Sequence, residues 1–148
     1  VAIGAAGFRV SQADAAALVW GYAAGLDMTR RDLQLVAREQ GRPWDLGKDF
    51  EQSAVCSEIV PRGDLGLLGS GTIALQVNGA TRQSADLSQL IWNIPELLAD
   101  LSQFYHLQPG DLIYTGTPEG VGAVKPGDRI TGHIDKVGGV ELTIGQAE

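Results

Sequence analysis

The sequence predicts a β-rich α+β domain, with a folded-over or barrel-like sheet and a few short helices. Three observations carry that prediction. Short apolar stretches recur between turn signals built from glycine, proline and asparagine. Thr72 to Val77 alternates in polarity and runs into Asn78-Gly79, a hairpin signature. Helical patterns are few and do not alternate regularly with strands, which argues against a doubly wound sheet. The chain has 148 residues, 44% hydrophobic and 20% charged, enough for one domain over 1–148 with a buried core.

Val1 to Ile3 reads as the end of a strand already under way, without an initiator methionine or a basic leader before it, so the chain is read as an internal piece of a longer protein. Ser11, with Asp14 three residues on, is a capping box that opens a short helix ending near Val19. Trp20 to Met28, rich in glycine and small residues, fits a single strand closely approached by its neighbours. Thr29 with Asp32 forms a second capping box, and the helix it opens runs to Gln40, stops at Gly41 and is sealed by Pro43. Residues 42–55 show neither helical nor strand periodicity and read as an ordered loop. Cys56 to Val60 is an edge strand ended by Pro61.

Glycines at 63, 66, 69 and 71 mark a turn-rich connection, and GLLGSGT lacks the lysine ending of a phosphate loop. The Asn78-Gly79 turn leads into Ala80 to Ser84. Asp86 caps a short helix, and Pro95 sits in the first turn of another with an apolar stripe of Leu97, Leu98, Leu101 and Phe104. DLIYTG reads as a buried strand leading into the tight loop Thr117 to Gly122. RITGHID and VELTIG are closing strands.

A net charge of −7 with 11 scattered basic residues argues against a general nucleic-acid binder, while a small anionic substrate stays compatible with a local cluster of cations. The longest charge-free apolar stretch, Ala15 to Leu26, is too short to span a bilayer, so no membrane partner is expected. A lone cysteine, Cys56, suits a reducing compartment, and the expected location is cytoplasmic. His106 and His133 lack partners at zinc-like spacing, and no serine sits in a nucleophile elbow.

The candidate site centres on GLDMTRRDLQ. Asp27 is delivered just outside a helix whose Arg31 and Gln34 share one face, so a carboxylate, a guanidinium and an amide converge from one short piece of backbone. Lys48, following Gly47, can approach the same pocket because glycine adds no bulk. The same spacings also suit a turn aspartate, a plain N-cap, a solvated arginine and an exposed lysine.

Taken in order, GLDMTRRDLQ, RPWDLGKDF, LQVNGATRQ and GDLIYTGTPEGVG resemble the fumarylacetoacetate hydrolase family, most closely its acylpyruvate and fumarylpyruvate hydrolase branch. The resemblance covers essentially the whole chain and rests above all on D-x-x-x-R-D-x-Q and GTPEGVG. It implies a mixed β-sheet roll, commonly a homodimer. It also implies a role for Asp27 as a ligand of magnesium or manganese, for Arg31 and Gln34 in contacting substrate or orienting water, for Lys48 in polarising substrate oxygens, and for Gly116 and Thr117 in holding the substrate's carboxylate end. The implied reaction is hydrolytic cleavage of a carbon-carbon bond in a 2,4-diketo acid to pyruvate and a carboxylic acid, in aromatic catabolism. Oxaloacetate decarboxylation, isomerisation of a related diene diacid, or a non-catalytic binding module are the alternatives. In the family two further metal-binding glutamates and a histidine-glutamate pair on a lid precede the segment that begins here at Val1. The expectation is a catalytic domain lacking its N-terminal strand and lid.

Overall fold

The computed structural model describes residues 1–146. Strand β1 (Ala2–Ile3) pairs antiparallel with β2 (Val19–Tyr22), and between them α1 (Gln12–Ala15) passes into a 3-10 turn over Ala16–Leu18. The Ser11 hydroxyl caps α1 by accepting the Asp14 N–H and donates in turn to the Asp14 carboxylate at 2.6 Å. The single strand expected over Trp20 to Met28 is broken: β2 ends at Tyr22 and β3 (Gly25–Asp27) belongs to a different sheet. Ala24, almost wholly buried, turns the chain from one packing layer to the next. Helix α2 (Arg31–Glu39) follows and ends at Gly41, whose φ of 61° suits a glycine cap. The segment read as a loop contains a one-turn helix, α3 (Asp45–Lys48). The edge strand expected over Cys56 to Val60 is two short pieces, β4 (Ala54–Cys56) against β3 and β5 (Val60–Pro61) against β2.

The largest sheet is the part most directly dictated by local sequence. Strands β6 (Thr72–Val77) and β7 (Ala80–Asp86) form the hairpin, with Asn78 and Gly79 both at positive φ as a two-residue primed turn requires. Asp86 caps a 3-10 turn over Leu87–Gln89 in a capping box, and Asn93 does the same for α4 (Ile94–Leu101), with Pro95 in its first turn. Strands β8 (Arg129–Ile134) and β9 (Gly138–Thr143) complete the sheet in the order β7-β6-β8-β9. Every described strand pairing in the molecule is antiparallel.

Two apolar cores result. One joins β1, β2, α1 and α4 through Ile3, Ala15, Leu18, Val19, Ile94 and Leu98. The other seats the β3 ribbon on the large sheet through Ala24, Leu26, Val77, Ile130 and Val140. Leu97 and Leu101 are half-buried beside Leu98, but Phe104 lies past the end of α4 and is exposed, so the expected stripe stops one turn short. DLIYTG is not the buried strand expected. It is extended and hydrogen-bonds to the two-residue β1, with Ile3 N–H donating to the Asp111 carbonyl and Ile113 N–H to that of Val1. So short a partner leaves only an isolated bridge between Ala2 and Leu112.

Leu98, 1% exposed, joins α4 to the first core. Leu98→Ala is expected to cost about 3 kcal/mol in urea unfolding, the range for a buried leucine that leaves a cavity; a loss below about 1 kcal/mol would show that α4 is not held by that core.

Candidate functional site

Asp27 is the last residue of β3, opposite Ala54 of β4, and the ribbon is continued by Met28 N–H donating to the Ser53 carbonyl at 2.9 Å. The capping box expected at Thr29 does not form. The Thr29 hydroxyl donates back to the Asp27 carbonyl at 3.4 Å, and α2 starts at Arg31 with no side-chain cap. The helix begins one residue later than expected, and the residue before it is tied to α3: the backbone N–H of Arg30 donates to the carbonyl of Gly47 at 2.9 Å.

Gly47 is buried against that first turn. A Cβ there would meet Gln34 N at 3.0 Å and Arg30 O at 3.2 Å, a fit that excludes larger residues without movement. Lys48 is the next residue, and its Nζ donates to Asp27 Oδ2 at 2.7 Å. On α2 the Arg31 guanidinium donates to Gln34 Oε1 at 2.5 Å, and Gln34 is buried. The Arg30 guanidinium lies 4.4 Å from the centre of the Phe50 ring. A carboxylate, an ammonium and a guanidinium-amide pair are thus held by β3, α3 and α2.

Gly116 and Thr117 sit elsewhere, on the wall of a cleft of about 630 Å³ that Ser84, Gln89, Trp92 and Leu97 also line. No hydrogen bond or ion pair among the described residues joins them to Asp27, Arg31, Gln34 or Lys48. Their link is Tyr114, three residues before Thr117: its hydroxyl donates to the Val55 carbonyl at 3.0 Å, and its ring lies where a Cβ on Gly25 would be, 2.7 Å away. Burial, then the neighbouring Cys56 and Asp27, raise the Tyr114 phenol above its ordinary value.

The sequence reading assigned no role to Gln83, which is buried on β7 and donates from Nε2 to Thr117 Oγ1 at 2.7 Å and to the Pro118 carbonyl at 2.6 Å. Register explains its direction. Thr81 pairs with Gln76 and Gln83 with Leu75, so Arg82 is an extra residue in β7, and a bulge of this kind re-aims the following side chain. The Thr117 loop closes on the same bulge: Gly120, at φ 101°, lies so near the Arg82 carbonyl that a Cβ would be 2.0 Å from its oxygen. In the sequence Gln83 is simply the last residue of LQVNGATRQ, with no signal of the bulge that aims it.

A hard divalent cation takes about six oxygen ligands, and Asp27 can provide one: Lys48 occupies Oδ2, and the other oxygen has no hydrogen bond among the described residues. No group of three or more His, Cys, Asp or Glu converges among the described residues. The donor set fits one ligand of such a site and does not make a whole one.

Comparison with known proteins places this geometry. A family profile described as the C-terminal domain of fumarylacetoacetate (FAA) hydrolase matches residues 1–145. The fumarylpyruvate hydrolase of a Ralstonia species is 62% identical over all 148 residues, which span 77% of that protein. The mitochondrial oxaloacetate tautomerase FAHD1 of Rattus norvegicus is 42% identical over 137 residues, 93% of this chain and 62% of that one. Among solved structures, fumarylpyruvate hydrolase from Pseudomonas aeruginosa, in complex with Mn2+ and pyruvate, superposes with a TM-score of 0.96 at 48% identity, covering 99% of this chain and 63% of that one. The chain therefore spans less than two thirds of the last two proteins. With a profile match from end to end of the described fold, the chain belongs to the fumarylacetoacetate hydrolase family.

Proposed function

We propose that this chain is the catalytic domain of a metal-dependent hydrolase that cleaves acylpyruvates of the fumarylpyruvate kind to pyruvate and a carboxylic acid. The observation that carries the reading is the Lys48 ammonium held on the Asp27 carboxylate, with the preceding Gly47 docked on the turn of α2 that bears the Arg31–Gln34 pair. The 62% identity to the Ralstonia hydrolase supports the substrate class.

In this reading water adds to the acyl carbonyl of the 2,4-diketo acid. The bond between that carbon and the adjacent methylene breaks, and its electron pair passes into the pyruvate unit as an enolate, which then takes a proton on carbon. A bound magnesium or manganese ion would supply Lewis-acid polarisation of the keto acid there, with Asp27 as one ligand. Lys48 places a positive charge where the enolate oxygen develops, a contact stronger in the transition state than in the ground state. Arg31, fixed by its bond to Gln34, binds a substrate carboxylate or orients the water, with Gln34 as its support. Thr117 and the Gly116 backbone hold the carboxylate end of the substrate. Further carboxylate ligands and the base that activates water are supplied by chain beyond these residues, as the greater length of the relatives allows. The location is cytoplasmic and the assembly a homodimer; no helix among the described residues is long and apolar enough to cross a membrane.

The test is turnover of fumarylpyruvate by the full-length protein with magnesium or manganese, with loss on chelation and recovery on metal addition. Failure to cleave any acylpyruvate, or tautomerisation of oxaloacetate without bond cleavage, would sink the hydrolase reading. Lys48→Met is expected to lower kcat by about a hundredfold or more, the scale for removing one oxyanion-stabilising group. Asp27→Asn is expected to abolish metal-dependent turnover yet change unfolding stability by less than about 1 kcal/mol, because its pair with Lys48 is half in solvent. A larger loss in denaturant titration would make Asp27 a structural residue.

A further inference from the structure

We infer that Gln83 is a positioning residue that sets the Thr117 hydroxyl as a hydrogen-bond donor toward the carboxylate of the substrate. The inference rests on the reading of Thr117 given above and deepens it.

The Pro118 carbonyl can only accept, so the end of the Gln83 amide that faces it at 2.6 Å must be the NH2 group, and this fixes the orientation of the amide. The same nitrogen reaches Thr117 Oγ1 at 2.7 Å. An amide nitrogen has two hydrogens and nothing to accept with, so one hydrogen goes to each oxygen and Thr117 accepts. A hydroxyl has a single proton. Because that proton cannot point at Gln83, it is free for the cleft that Thr117 lines, where an anion accepts it. A threonine with no such partner would spend part of its time with its lone pairs toward the ligand.

Burial makes the arrangement rigid. Gln83 is 7% exposed, the bulge at Arg82 aims it inward, and Gly120 lets the Thr117 loop lie directly on that bulge. The loop is therefore clamped at Thr117 and Pro118 by one side chain and at Gly120 by shape. Holding a donor in place before the ligand arrives removes an ordering cost that binding would otherwise carry.

The test is a double-mutant cycle in the full-length protein with magnesium, using Gln83→Glu, Thr117→Val and the two combined. Glutamate keeps the size of glutamine but can only accept when ionised, so it draws the Thr117 proton to itself. Gln83→Glu is expected to raise the Kd for pyruvate and the KM for fumarylpyruvate about tenfold or more, with kcat changed by less than about threefold. In the Thr117→Val background the same substitution is expected to add little. Should Gln83→Glu fail to fold by circular dichroism, Gln83→Met replaces it in the same cycle, with the same coupling expected. Additive losses, or a fall in kcat at constant KM, overturn the inference and leave the hydrolase reading standing. A wild type that neither binds pyruvate nor cleaves an acylpyruvate overturns both.

Discussion

The site depends on the contact of Gly47 with the first turn of α2. Its carbonyl accepts the Arg30 N–H, and the absence of a side chain lets its backbone lie against Gln34. That contact does three things at once. It ties α3 to the residue before α2, it covers Gln34, whose amide receives Arg31, and it carries Lys48 to Asp27. A helix of one turn such as α3 has no stability of its own, since nucleation costs more than so few hydrogen bonds return. It exists because α2 is there to dock on.

The legible parts of the fold are those in which neighbours in sequence settle the structure. Asn78-Gly79 specifies a primed turn wherever it falls between alternating runs, and Ser11 with Asp14 specifies a helix start. Thr29 with Asp32 has the same local credentials and does not form the box: its hydroxyl turns back to the Asp27 carbonyl, and the residue after it docks on Gly47. Trp20 to Met28 looked continuous because small apolar residues suit a strand anywhere; nothing local said that two cores lie on either side of Ala24. DLIYTG carries a strand composition, yet strand order is a property of two chains of backbone, and its partner offers only two residues.

The same distinction divides the site. Asp27, Arg31, Gln34 and Lys48 lie in motifs whose charges and helical spacing are visible, and Gly47 announces a close approach. Gln83 carries no charge and occupies a strand position among Thr81, Arg82 and Ser84, where a polar side chain is ordinary. What sets it apart is the extra residue at Arg82, and a bulge becomes visible only when the partner strand is in place.

In a chain of net charge −7, the two cations of the candidate site are held differently. Lys48 is neutralised locally by Asp27, whereas Arg31 is bonded to a neutral amide and keeps its full charge. The two are therefore not equivalent: among the described residues the first cation is ion-paired and the second is not. Thr117, on the wall of a separate cleft, offers a dipole rather than a charge. The Tyr114 side chain ties the segment that bears it to the Val55 carbonyl of β4, the partner of the Asp27 strand. The groups of the candidate site are positioned by the fold itself, at Gly25, Gly47 and the bulge at Arg82, three places where there is no room for a larger residue or an unbroken ladder.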